Sequence, residues 1–110
     1  MSFNQNNMQK MMKQMQKMQQ DVARVQEELK TAQVEAVAGG GAVKAVFNGH
    51  GEIQSLTILP EAVDPEDVEM LQDLILAAVR QGQADAQKLA EERLGAVTQN
   101  LRVPGMPGLF

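Results

Sequence analysis

Residues 8–32, MQKMMKQMQKMQQDVARVQEELKTA, decide how this chain begins to fold. Apolar residues stand at Met8, Met11, Met15, Met18, Val22, Val25, Leu29 and Ala32, in steps that alternate between three and four. That spacing is the a/d seam of a heptad pattern, and it runs without interruption. No Gly or Pro breaks it, and the intervening Gln, Lys, Glu and Ala favour helix. The spacing predicts a helix over residues 7–32, roughly 37 Å long at about 1.5 Å per residue.

Outward from the helix the pattern changes period. Val34 to Ala38 reads as a strand, Gly39-Gly40-Gly41 as a turn and Val43 to Phe47 as a second strand. Asn48-Gly49-His50-Gly51 is another turn signal, because Asn and Gly accept positive φ cheaply, and Glu52 to Leu59 is a third β-rich run. The expectation is a three-stranded antiparallel meander over 34–59. In the third strand Ile53 falls on one parity, Leu56 and Ile58 on the other, and a bulge near Ser55 would reconcile them. Pro60 ends the strand. Asp64-Pro65-Glu66-Asp67 then offers an N-cap, a proline at the first helical position and acids in the first turn of a second helix over 65–99. Its stripe is Val68, Leu71, Leu74, Ile75, Ala78 and Val79, resuming at Ala86, Leu89 and Leu94. Gly82 between them marks a weak point or a close approach.

Residues 1–100 therefore form a single α-β-β-β-α domain of the α+β class, and 101–110, with Pro104-Gly105 and Pro107-Gly108, form a flexible tail. Two long helices and a small sheet leave apolar surface that one chain cannot cover, so a second copy is a natural partner.

Composition narrows the function. The chain of 110 residues holds no cysteine, which excludes disulfides, zinc-thiolate sites and thiol nucleophiles and fits a reducing cytoplasm. No apolar run approaches the roughly 18 to 20 residues that span a bilayer, and the polar start is unlike a signal peptide. Three Phe and no Trp or Tyr leave little to stack on single-stranded bases.

The net charge of −4 is unevenly spread. Lys10, Lys13 and Lys17 occupy a stretch, residues 1–20, that has no acid, whereas the second half is acidic. With Met8 at heptad position a, Lys10, Lys17 and Arg24 fall at c and Lys13 at f, all opposite the seam. Such a stripe is either a solvated face or a row of phosphate contacts, with neither the Arg/Asn density nor the aromatics for reading bases. The seam behind it is either a core against another helix or a deformable groove for apolar partners.

Other constellations carry less. One His and one nearby Glu, His50 and Glu52, do not make a metal site. The Gly39 to Gly41 run lacks the Lys-Ser/Thr of a phosphate loop, and the acids between Glu61 and Asp73 lack calcium-loop spacing. No nucleophile-base set or paired-carboxylate cleft can be assembled, so the reading is a non-enzyme with no cofactor, no metal and no small-molecule substrate.

Several stretches together resemble a known family. These are Gln14-Met15-Gln16-Lys17-Met18-Gln19, Val25-Gln26-Glu27-Glu28-Leu29, Gly40-Gly41-Ala42-Val43-Lys44 with Asn48-Gly49, and Glu69 through Ala78. In order and spacing they are similar to the YbaB/EbfC family of nucleoid-associated proteins. The resemblance implies a homodimer joined through its sheets, with the long helices as paired projecting arms. It also implies a place in the cytoplasm at the nucleoid, and binding of double-stranded DNA with low or modest sequence preference that affects nucleoid organisation and gene expression. The DNA-contact residues are expected on the basic stripe, at Lys10, Lys13, Lys17 and Arg24, with Lys88 and Arg93 as additional candidates. The competing expectation is a protein-protein adaptor that docks a partner on the methionine-lined helix or the tail.

Overall fold

A computed structural model describes residues 5–99. The order is α1 (Gln5–Thr31), β1 (Gln33–Ala38), β2 (Val43–Asn48), β3 (Ile53–Ile58) and α2 (Val68–Gln99), with short 3-10 turns at Gly39–Gly41 and Pro60–Ala62. This is the expected α+β arrangement, with the strands in the order β1-β2-β3 and both pairs antiparallel. The tail expected over 101–110 lies outside the described residues.

The connections follow from local chemistry. Gly39, Gly40 and Gly41 all have positive φ, of 63°, 66° and 97°, so three successive left-handed residues reverse the chain between β1 and β2. A side chain at any of them would strain the backbone. Asn48 organises the second reversal from a buried position. Its Oδ1 accepts the backbone N–H groups of His50 and Glu52, each at 3.0 Å, and its Nδ2 donates to the Glu52 carboxylate at 2.8 Å. The Gly49 N–H donates to the Leu29 carbonyl at 2.8 Å, fastening this turn to the end of α1.

The parity mismatch in β3 is resolved by a bulge. Val46 pairs with Ser55 and Phe47 with Ile53, so Gln54 is the extra residue. Ile53, Leu56 and Ile58 thereby share the face of Phe47, Ala45 and Val43. The start of α2 differs from expectation. Asp64 accepts the Glu66 N–H at 2.9 Å in a turn, while Asp67 accepts the Met70 N–H at 3.2 Å. Asp67 is therefore the cap, Pro65 precedes the helix, and α2 begins at Val68 rather than 65.

Two cores result. Val43, Ala45 and Phe47 of the sheet pack with Ala78 and Ala86 of α2, flanked by Leu71, Leu74, Ile75 and Val79. Gly82 is buried over the Phe47 ring, and a Cβ there would overlap it, so the glycine marks a close approach within a continuous helix. The second core joins Val25 and Leu29 of α1 to Val97 of α2, flanked by Val22, Leu89, Ala90 and Leu94. The pairing runs antiparallel: Leu29 and Gln26 share a cleft with Gln87, Ala90 and Leu94, while Asp21 and Val25 share one with Arg93, Ala96 and Val97.

The helices overlap only near their C-terminal ends, which makes the molecule long. Its extents are 77 × 25 × 15 Å and its radius of gyration 21.2 Å, against about 13 Å for a compact chain of this length. The N-terminal half of α1 projects as an arm.

Candidate nucleic-acid interface

The arm carries the residues singled out by charge. Lys10, Lys13 and Lys17 are all exposed on α1, and none enters a salt bridge among the described residues. Helical geometry sets Lys10 and Lys17 about 10 Å apart along one side, with Lys13 between them. Nothing acidic precedes Asp21, which lies one turn beyond Lys17, so Lys10 and Lys13 have no acid within a turn of the helix.

Arg24 is placed differently. Its guanidinium lies 3.5 Å from Asp21 and 3.6 Å from Glu28, and Glu28 also sits 3.8 Å from Arg93. Both arginines thus belong to an exposed network at the foot of the arm, where α2 meets α1. Pairs this exposed contribute about 0–1 kcal/mol each to stability, so they do not lock the arginines away, but they offset their charge. Lys88 is exposed further along α2. The structure therefore brings Arg24 and Arg93 together and leaves the three lysines as a separate row. The spacing of Asp21 and Glu28 around Arg24, at i−3 and i+4, is the signal in the sequence for this pairing.

The seam behind the stripe divides in two. Val25 and Leu29 are buried against α2, whereas Met8, Met11 and Met15 are 51–61% exposed. Within this chain α2 buries the seam at the foot of the arm and leaves the rest of its length uncovered. A second bare surface lies on the sheet: α2 covers β1 and β2 and meets β3 little. Ile53, Leu56, Leu59, Val63 and Val68 are consequently all exposed.

His50 is an exposed turn residue whose Nε2 lies 3.0 Å from the Gln26 carbonyl oxygen, which binds the turn to α1. Among the described residues no group of three or more His, Cys, Asp or Glu could hold a metal ion, and no helix is long and apolar enough to cross a membrane.

Fold and surface together define a class: an elongated, two-helix α+β protein that presents unneutralised positive charge on a projecting helix. Comparison with known proteins gives the family. Residues 4–101 match the model of the YbaB/EbfC DNA-binding family, and the chain belongs to that family. Among its relatives is a nucleoid-associated protein of Pelotomaculum thermopropionicum, 60% identical over 100 residues that cover 91% of this chain and 95% of that one. Another, a nucleoid-associated protein of Streptomyces avermitilis, is 52% identical over 105 residues, covering 96% and 93%. An uncharacterized Helicobacter pylori protein of known crystal structure is similar in fold, with a TM-score of 0.59 and 27% identity over 80% of this chain and 98% of that one.

Proposed function

We propose that this chain is a nucleoid-associated protein that binds duplex DNA through its phosphates, as a homodimer, in the cytoplasm at the nucleoid. The observation that carries this reading is the row of Lys10, Lys13 and Lys17, exposed and outside every salt bridge among the described residues, on an arm that projects from the fold. A helix of this kind meets phosphates electrostatically. Phosphate contacts position a protein on the duplex without reading its bases, so sequence preference is low or modest. Arg24 contributes after exchanging its carboxylate partners for phosphate, and Lys88 and Arg93 add weaker contacts along α2. Through such binding the protein acts on nucleoid organisation and gene expression, with no cofactor, small-molecule substrate or chemical step.

Self-association has separate support. The bulge places Ile53 and Leu56 on the helix-facing side of β3, yet α2 does not cover them, and with Leu59, Val63 and Val68 they form apolar surface suited to a second copy. Pairing there would set two arms on one particle.

A gel-shift titration with random-sequence duplex DNA, alongside mass measurement in solution, tests the reading. A shift by a dimeric species is expected. A monomer that fails to shift DNA at low salt and instead retains a stoichiometric protein partner in a pull-down would favour the adaptor. The role of Arg24 has its own test. Glu28→Gln removes the carboxylate shared by Arg24 and Arg93. Its expected effect is a few-fold gain in DNA affinity with stability changed by less than about 1 kcal/mol. Unchanged affinity would place both arginines outside the contact surface.

A further inference from the structure

We propose that the bare methionine face of α1 pairs, antiparallel, with the same face of a second copy. This contact is separate from the surface at β3 and does not depend on DNA.

The heptad spacing sets the register. Methionine occupies every a and d position from Met8 to Met18, and the next seam residue, Val22, already packs into the core with α2. The seam is therefore open over the ten residues between Met8 and Met18, about 15 Å of helix. A neighbour that sets its Met18 against Met8 also sets its Met15 against Met11, so every methionine of one seam meets one of the other. A slip of one heptad engages fewer. In one direction it drives Met8 and Met11 toward Val25 and Val22, which α2 already covers, and in the other it leaves only Met8 and Met11 in contact.

The orientation follows from where α2 ends. α2 lies on the seam at Val25 and Leu29, with Val97 packed beside Val25. A parallel neighbour would bring its own α2 to the same level, and two further helices, each about 10 Å across, would wedge the arms apart. In the antiparallel pair the tip of each arm enters the open seam ahead of the other copy's α2 and in line with it. With Met8 opposite Met18, the first helical residue, Gln5, comes level with Asp21 of the second copy, just short of Val22. The arm is as long as the seam left open to receive it.

Charge permits this occupant. The e and g positions flanking the open seam are Met12, Gln14 and Gln19, all uncharged. Lys10, Lys13 and Lys17 stand opposite the seam, so the rows of two paired arms point away from each other. Across two helices in contact they lie roughly 20 Å apart, beyond the Debye length of about 8 Å at physiological salt. No lysine is buried, and both rows stay open to solvent. The area sets the strength. Eight methionines, each losing on the order of 100 Å², remove roughly 800 Å² from water, below the usual size of a stable interface. The contact is accordingly reversible and concentration-dependent. The bodies of two chains joined this way lie at opposite ends of the paired arms, so a copy held by the arm is not one met at β3.

Disulfide formation between full-length variants reads both contact and direction, because the chain has no cysteine of its own. Met8→Cys and Met18→Cys chains of distinguishable mass are mixed without DNA and oxidised mildly. The mixed disulfide is expected to exceed either symmetric one by about tenfold, and a Lys13→Cys control, on the outer face, to crosslink about tenfold more slowly. An excess of symmetric disulfides describes parallel arms and overturns the proposal. Crosslinking no faster than the control also overturns it, and a rise on deleting residues 101–110 would then assign the face to the chain's own end. Sedimentation equilibrium gives a second readout. Met11 and Met15 are exposed and lie outside both cores, so Met11→Glu with Met15→Glu leaves the fold intact. The double variant is expected to weaken the concentration-dependent association by about tenfold or more, while roughly tenfold higher salt leaves that of the native chain unchanged or stronger. Association that the variant retains contradicts the proposal. So does association that salt abolishes, which would assign the arm to an acidic surface instead.

Discussion

Replacing Lys10, Lys13 and Lys17 together by Glu is expected to weaken DNA binding by at least a factor of about 100 near physiological salt, the largest effect any surface change should produce. The change moves each arm by six charge units, from attraction to repulsion of phosphate. Counterion release, which supplies most of the favourable term, is lost at the same time. The fold should be indifferent. All three lysines are exposed, and none is in a salt bridge among the described residues, so urea midpoints should shift by less than about 1 kcal/mol in stability. The neutral Lys→Gln triple variant should fall between the two. Unchanged affinity in the Glu variant would remove these residues from the contact surface, whatever else the protein binds.

The second large effect is on stability and lies at Phe47. Its ring is buried between the sheet and α2, directly under Gly82. Phe47→Ala should cost about 3–5 kcal/mol, the usual penalty for emptying a buried aromatic site. For a chain with cores this small, that is a large share of the total. The glycine makes the prediction sharper through a sign change. Gly→Ala within a helix normally gains about 1 kcal/mol. In the native background Gly82→Ala should instead destabilise, because the new Cβ meets the Phe47 ring. In the Phe47→Ala background the same substitution should stabilise, since the methyl enters the vacated space and the helix propensity becomes visible. Denaturant unfolding of the four proteins completes the cycle. A Gly82→Ala effect of the same sign and size in both backgrounds would show that the glycine is not there to admit the ring.

What could be read from the chain before its fold followed from local physics. The three-four spacing from Met8 to Ala32 located α1 to within two residues at each end. The parity break between Ile53 and Leu56 implied the bulge that the strand register contains. At the start of α2, two aspartates offered equivalent capping signals. Asp64 took the turn and Asp67 the cap, and only the path of the chain into α2 separates them. The same limit applies to the interface. The lysine stripe was visible as periodicity, but the division of the seam into a buried foot and a bare arm was not. It depends on where α2, arriving from the far side of the sheet, meets α1. The bare face of β3 is likewise a consequence of α2 lying over β1 and β2, which no local pattern encodes.

The most direct test of phosphate-directed binding by the arms is the salt dependence of affinity for a random-sequence duplex. If Lys10, Lys13, Lys17 and Arg24 engage from both subunits, eight contacts give a slope of log K against log salt of up to about −0.9 × 8, or roughly −7. The Lys→Glu triple variant should have a much shallower slope. A steep slope in the native protein that collapses in the variant is the predicted result. A native slope near zero, or a steep one that the variant retains, would contradict it.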